Sequence, residues 1–205
     1  MSARCVIISG GEFSPISDIF PDDYVIACDK GYEYAVSCGI VPDIVVGDFD
    51  SYSGDVAKDI PVDRYVSEKD DTDTMIAIRF AIEQGFDELA VFCALGGRLD
   101  HMLANLQSAK FAAEHGADVW LHDESSEIFV FSGGKRRIEK KEGYSLSVFA
   151  LSDECSGVSI KGAKYELENA TITNSFPIGV SNEWRGDFAE VSLEKGTIML
   201  MLSKM

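Results

Sequence analysis

Ile44-Val45-Val46-Gly47-Asp48-Phe49-Asp50-Ser51 is the segment from which the remainder of the chain can be read. Three β-branched residues in a row fit a strand buried on both faces. Gly47 then lets the backbone turn, and two carboxylates follow at i and i+2. On extended backbone Asp48 and Asp50 project to the same side. Carboxylates that close repel each other unless a hard cation sits within reach of both. The pair therefore reads as a Mg²⁺ site. The competing reading is a polar turn after a strand, since Asp is common in turns.

The chain repeats the pattern on either side of this segment. Val6-Ile7-Ile8-Ser9-Gly10-Gly11 reads as strand then turn, and Tyr24–Cys28 as a strand ended by Asp29-Lys30-Gly31. A helix is expected from Gly31 to Cys38, stopped by Gly39. Asp63–Val66 reads as a short strand followed by the loop Ser67–Asp73. The next helix runs from about Thr72 to Gln84, with Met75, Ile76, Ile78, Ala81 and Ile82 as its apolar stripe. Leu89–Ala94 is another apolar strand, followed by Gly96-Gly97-Arg98-Leu99-Asp100-His101, a helix to about His115, and a strand at Asp118–His122. Strands alternating with helices imply βαβ units and a mostly parallel sheet. Four strands end in acid: at Asp29, at Asp48 and Asp50, at Asp70, Asp71 and Asp73, and at Asp100. In a parallel sheet these ends share one edge, where ligands of open α/β folds bind. Some of them also suit helix capping: Asp70, Asp71 or Thr72 for the second helix, Asp100 for the third.

After about Asp123 the pattern changes. Ile128–Phe131, Tyr144–Phe149, Gly157–Ile160, Ala170–Thr173, Phe188–Leu193 and Thr197–Leu202 are short strand-like runs separated by turn residues, without a long helix. This suits an antiparallel sandwich or barrel. The expected fold class is α/β: an N-terminal three-layer α/β/α domain with a mostly parallel sheet over residues 1–124, and an all-β sandwich domain over 125–205.

The totals exclude several partners. The chain has 205 residues, 46% of them hydrophobic, enough for a substantial core, and a formal net charge of −17. That balance argues against nucleic acid and against an anionic membrane surface, both of which need basic patches. No 18-residue apolar run suggests a transmembrane helix, and Met1–Ile8 reads as a short strand rather than a signal peptide. The five cysteines are scattered without metal-finger spacing and read as reduced, buried thiols of a cytoplasmic protein.

An all-carboxylate cluster fits Mg²⁺ better than Zn²⁺, and Mg²⁺ usually bridges to substrate phosphates. The implied chemistry is phosphoryl transfer. No Gly-x-x-x-x-Gly-Lys-Ser/Thr loop and no Gly-x-Gly-x-x-Gly is present. The phosphate-binding candidates are instead Lys69, Arg98, the amides of Gly96-Gly97 and the start of the helix near Asp100. His101 and Asn105, at i and i+4, share a helix face with Arg98 just upstream.

Cys28-Asp29-Lys30-Gly31, Pro42–Ser51, Glu68-Lys69-Asp70-Asp71-Thr72-Asp73, Leu95-Gly96-Gly97-Arg98-Leu99-Asp100-His101 with Asn105, Gly162–Leu167 and Gly179–Glu183 together resemble the thiamine pyrophosphokinase family, in that order along the chain. The resemblance implies transfer of a diphosphate from ATP to the hydroxyethyl oxygen of thiamine, giving thiamine diphosphate and AMP. It implies Mg²⁺, and a homodimer with thiamine between subunits. Carried over by motif, Asp48, Asp50, Asp70 and Asp73 form the metal and catalytic set, with Asp29 and Asp100 nearby. Ser51, Lys69, Arg98, His101 and Asn105 face ATP; Ser181, Asn182, Tyr165 and Trp184 meet thiamine. Lys30 departs from a small residue common in the family, and Tyr165 stands where some members carry Trp. Aromatic faces and carboxylates suit the thiazolium cation. Asp100 or Asp73 would take the proton of the acceptor alcohol.

Two other readings fit Asp48-Phe49-Asp50 alone: an Asp-nucleophile phosphatase and the metal clamp of a glycosyltransferase. A non-catalytic nucleotide or vitamin sensor is the third.

Overall fold

The computed structural model describes residues 4–47, 60–63 and 71–205. Two compact units divide the chain, Met1–Glu124 and Ser125–Met205. The first contains β1 (Cys5–Ile8), β2 (Tyr24–Cys28), α1 (Gly31–Ser37), β3 (Ile44–Val46), β4 (Val62–Asp63), α2 (Asp73–Glu83), β5 (Glu88–Phe92), α3 (Leu99–Glu114) and β6 (Asp118–His122). All six strands run parallel in the order β6-β5-β1-β2-β3-β4.

Parallel partners stand in register, so matching positions share a face. Val6 lies opposite Val25 and Ala90, and Ile7 opposite Ile26 and Val91. Val6, Ile8, Val25, Ala90 and Phe92 pack with Ala35 of α1 in one buried cluster. The other parity faces α2: just past β1, the Ser9 hydroxyl meets that of Thr74 at 2.7 Å. Helix α3 packs on α2 and β6. The sheet is thus covered on both faces, which explains why its strands are continuously apolar rather than alternating. Of the residues proposed to cap α2, Thr72 does so: its Oγ1 accepts from Met75 N at 3.2 Å.

The second unit is antiparallel: β7 (Ser126–Glu139), β8 (Tyr144–Ala150), β9 (Glu154–Lys161), β10 (Leu167–Thr173), β11 (Gly179–Asn182) and β12 (Phe188–Lys204). β12 pairs with β7 along its length. Its first half also pairs with β9, which pairs with β10. Its second half pairs with β8, which pairs with β11. One long ribbon therefore carries two successive sets of partners and bends at the bulge between them.

That bend corrects the expected strand list. Phe188–Leu193 and Thr197–Leu202 are one strand, and Ile128–Phe131 is only the start of β7. The register slips between Leu193 and Thr197, opposite Gly133 and Gly134. Gly133, Gly134 and Gly196 have φ of 63°, 78° and 105°, a backbone open mainly to glycine. Glycines that read as turns in sequence here form a bulge that redirects the strand without ending it. A second correction concerns the thiols. All five are free and four are buried, but Cys38 is exposed. It caps the end of α1, beyond the Gly31, Tyr32 and Ala35 positions that face the sheet.

Candidate active site

In the first unit the residues following β1, β2 and β5 and the starts of α2 and α3 surround a cleft of about 510 Å³. Its lining comes from Ser9 to Glu12, Asp29 and Lys30, Asp71 to Thr74, and Ala94, Gly96, Gly97, Arg98, His101 and Asn105. This is the carboxyl edge of a parallel sheet, where strand ends present side chains without blocking backbone.

Close backbone packing makes the floor. Ser9 N donates to Phe92 O at 2.9 Å and Gly11 N to Cys93 O at 3.0 Å. A Cβ at Gly11 would lie 2.4 Å from the Cys93 carbonyl oxygen, so no side chain fits there. Asp29 N donates to Val46 O at 2.9 Å, tying the turn after β2 to the end of β3. Asp29 itself has φ of 46°, an unusual conformation for a residue with a side chain. Gly47 abuts it: a Cβ there would lie 3.3 Å from Asp29 Cα.

The expected site residues divide accordingly. Asp29, Asp73, Arg98, His101 and Asn105 line one cleft, with Asp71 beside them. Asp48, Asp50, Ser51, Lys69 and Asp70 lie outside the described residues. Asp100 is not part of the lining. Its Oδ1 and Oδ2 accept from Arg98 Nε at 3.1 Å and Nη2 at 2.6 Å, a two-pronged pairing. Oδ1 also accepts from His101 N at 2.9 Å. The Arg98 guanidinium holds the Asp100 carboxyl below the usual carboxylate range. Asn105 is buried, and its Nδ2 donates to Ala94 O at 2.7 Å, so its amide also fixes the β5 exit at the cleft it lines.

Sequence reasoning missed Glu12. Its Oε2 accepts from Gly97 N at 2.7 Å, so a carboxylate already sits on one of the amides expected to cradle phosphate. Ser9-Gly10-Gly11 had the signal, a strand followed by glycines, but no acid directly at the strand end. Lys30 also faces the cleft, its Nζ 5.4 Å from the centre of the Tyr34 ring. The Tyr34 hydroxyl pushes the Lys30 pKa up. Among the described residues, no group of three or more His, Cys, Asp and Glu side chains is arranged to hold a metal ion.

The residues expected at thiamine lie in the second unit. Asn182 is buried: its Nδ2 donates to Tyr165 O at 2.7 Å, while its Oδ1 accepts from the Tyr165 and Glu183 amides, each at 3.0 Å. It clamps the turn that presents the exposed Tyr165 ring. Ser181 has φ of 55°, and its amide donates to Ser147 Oγ at 3.0 Å. Trp184 pairs with Ala163 in an isolated bridge, and its Nε1 donates to Ile138 O at 3.2 Å.

The fold and cleft define a mixed α/β protein with an acidic, glycine-rich site at the sheet's carboxyl edge and an antiparallel β domain behind it in sequence. Comparison with known proteins narrows the class. Residues 20–121 match the family model described as thiamin pyrophosphokinase, catalytic domain, and residues 135–198 match thiamin pyrophosphokinase, vitamin B1 binding domain. The thiamine pyrophosphokinase of Bacillus subtilis is 31% identical over 207 residues, spanning 96% of this chain and 97% of that one. Its crystal structure superimposes with a TM-score of 0.88 at 29% identity, covering 98% and 99% of the two chains. The thiamin pyrophosphokinase of Geobacillus thermodenitrificans gives 0.83 at 26% identity, covering 98% of each. The chain belongs to the thiamine pyrophosphokinase family and is an enzyme of that class.

Proposed function

We propose that this enzyme transfers an intact diphosphate from ATP to the hydroxyethyl oxygen of thiamine, releasing AMP. The bond from the β-phosphorus to the oxygen bridging it to the α-phosphate breaks, and that oxygen leaves with AMP. A bond from the thiamine oxygen to the β-phosphorus forms, and the alcohol proton passes to a carboxylate. The observation that carries the reading is the convergence of Asp29, Asp71, Asp73, Lys30, Arg98 and two glycine turns on one cleft, in a chain matching both family domains in order.

Among the described residues the cleft carboxylates do not gather as a metal group, and Glu12 and Asp71 are engaged by Gly97 N and Arg79. The carboxylate oxygens of Asp29 and Asp73 on the same cleft suit a hard cation. Asp73, with Asp48, Asp50 and Asp70 by motif, would hold Mg²⁺. When bound, it neutralises charge on the phosphate oxygens. The protein's own part is positioning, which supplies most of the catalysis in phosphoryl transfer. Lys69, Ser51 and Arg98 would orient the polyphosphate, with His101 at the rim. Of the two proton acceptors left open by sequence, Asp73 lines the cleft, whereas Asp100 is paired to Arg98 outside the lining.

The second unit would hold thiamine, with the Tyr165 ring facing the thiazolium cation and Ser181 beside it. Asn182 would act by presenting Tyr165. Trp184, tied to Ile138, would pack behind it. A cytoplasmic homodimer completes the proposal; among the described residues no helix is long and apolar enough to cross a membrane. The test is to incubate the protein with ATP, Mg²⁺ and thiamine and weigh the products. AMP with thiamine diphosphate supports the reading, and ligand binding without turnover refutes it.

A further inference from the structure

Among the described residues, the lysine and arginine side chains lining the cleft are Lys30 and Arg98. They are not equivalent. Arg98 is held by Asp100 through both arms of its guanidinium, so its charge is already matched by a carboxylate. Among the described residues Lys30 has no such ion pair; its ammonium lies beside the Tyr34 ring. Tyr34 is fixed in turn. Its hydroxyl donates to the Gly11 carbonyl at 2.9 Å, and its ring packs at 5.2 Å from that of Phe13.

The phenol has one proton, committed to Gly11. Toward Lys30 it therefore offers only its ring face and its oxygen lone pairs, both of which attract an ammonium. That arrangement favours the charged lysine, consistent with its raised pKa. It also leaves ammonium protons for a second acceptor, since an ammonium carries three. Lys30 begins directly above the glycine turn: a Cβ on Gly10 would lie 3.5 Å from Lys30 Cβ. The nearby Gly97 amide is occupied by Glu12. The cleft thus sets a pre-aimed cation at a place where one expected amide donor is already taken.

We propose that Lys30 binds the polyphosphate of ATP directly and that Tyr34, anchored on Gly11, is its positioning residue. The proposal rests on the nucleotide occupying this cleft. It adds a binding role at a position where the family pattern commonly has a small residue.

The test is calorimetric titration of ATP with Mg²⁺, and separately of adenosine, into the full-length protein. Lys30→Ala should weaken ATP binding about tenfold, the effect of losing one charge-assisted hydrogen bond. Lys30→Arg should stay within about threefold of the parent, and Tyr34→Phe should weaken ATP by about threefold. Adenosine binding should not change in any variant, because only the phosphates meet Lys30. In steady state, the KM for ATP should follow the dissociation constant while the KM for thiamine holds. Lys110→Ala removes an equal charge from the far part of α3 and should leave ATP binding intact. Unchanged ATP binding by Lys30→Ala overturns the assignment. So does an equal loss in Lys110→Ala, which would mark diffuse charge, or a matching loss of adenosine, which would mark a damaged fold. If the parent makes no thiamine diphosphate yet Lys30→Ala still loses ATP affinity, the diphosphotransferase reading fails and the Lys30 assignment stands.

Discussion

Gly31→Ala should damage stability and activity together, for one geometric reason. Gly31 opens α1 immediately after Asp29 and Lys30, and the helix start rests on the end of β1. A methyl group there would lie 2.1 Å from the Ile8 carbonyl oxygen and 2.8 Å from its carbon. Ordinary contact needs about 3.5 Å, so helix and strand must part by about 1 Å. Neither partner can rotate aside, because both are backbone in a fully buried strand. Overpacking a dense interior costs about 1–3 kcal/mol, and a clash with backbone belongs at the upper end. The same displacement carries Asp29 and Lys30 with it. A shift of about 1 Å at a reacting site costs on the order of 10²-fold in rate. Urea unfolding followed by circular dichroism reads the first effect, and the rate of AMP formation reads the second. Gly39→Ala is the comparison. Gly39 has φ of 72° but open space around its Cβ position. It should lose about 1 kcal/mol to backbone strain and keep its rate. The reasoning fails if Gly31→Ala matches the parent in both measurements, or if Gly39→Ala loses as much activity.

Three further outcomes are expected. Asp73→Asn should lower kcat on the order of 10²-fold with an unchanged urea midpoint, and full turnover would remove Asp73 from the reacting groups. Asn182→Ala should cost about 1–3 kcal/mol, since it removes a buried side chain that holds three backbone groups of Tyr165 and Glu183, and should raise the KM for thiamine but not for ATP. Arg98→Ala should move the Asp100 titration, followed by carbon NMR, upward toward the ordinary carboxylate range. Because Arg98 lowers the folded-state pKa of Asp100, the pairing stabilises the fold above the unfolded carboxyl pKa of about 3.9. That contribution is lost as pH falls through the lower folded value, so the parent and Arg98→Ala should converge in stability at strongly acid pH.

The first unit was legible because burial on both faces leaves a plain mark, continuous apolar runs such as Val6–Ile8 and Ile44–Val46 ending in glycine or acid. Parallel register then sends successive strand ends to one edge, which is why Asp29, Asp73 and Arg98 could be placed together before any geometry was known. Asp100 escaped that logic because spacing along a strand end does not reveal a pairing with the neighbouring Arg98. Glu12 escaped because its partner, Gly97, lies 85 residues away in sequence. In the second unit, Gly133, Gly134 and Gly196 looked like strand ends. Glycine marks a backbone that must bend, and only the pairing of β7 with β12 shows that the ladder continues through the bend. Asn182 read as a ligand contact because it is polar in a family motif, while its burial and its three backbone partners emerge only from the fold.

The most direct measurement is a phosphorus NMR time course of the full-length protein with ATP, Mg²⁺ and thiamine. The account predicts that AMP and thiamine diphosphate rise together at equal rates, with neither ADP nor thiamine monophosphate at any time. Accumulation of ADP with thiamine monophosphate would contradict it.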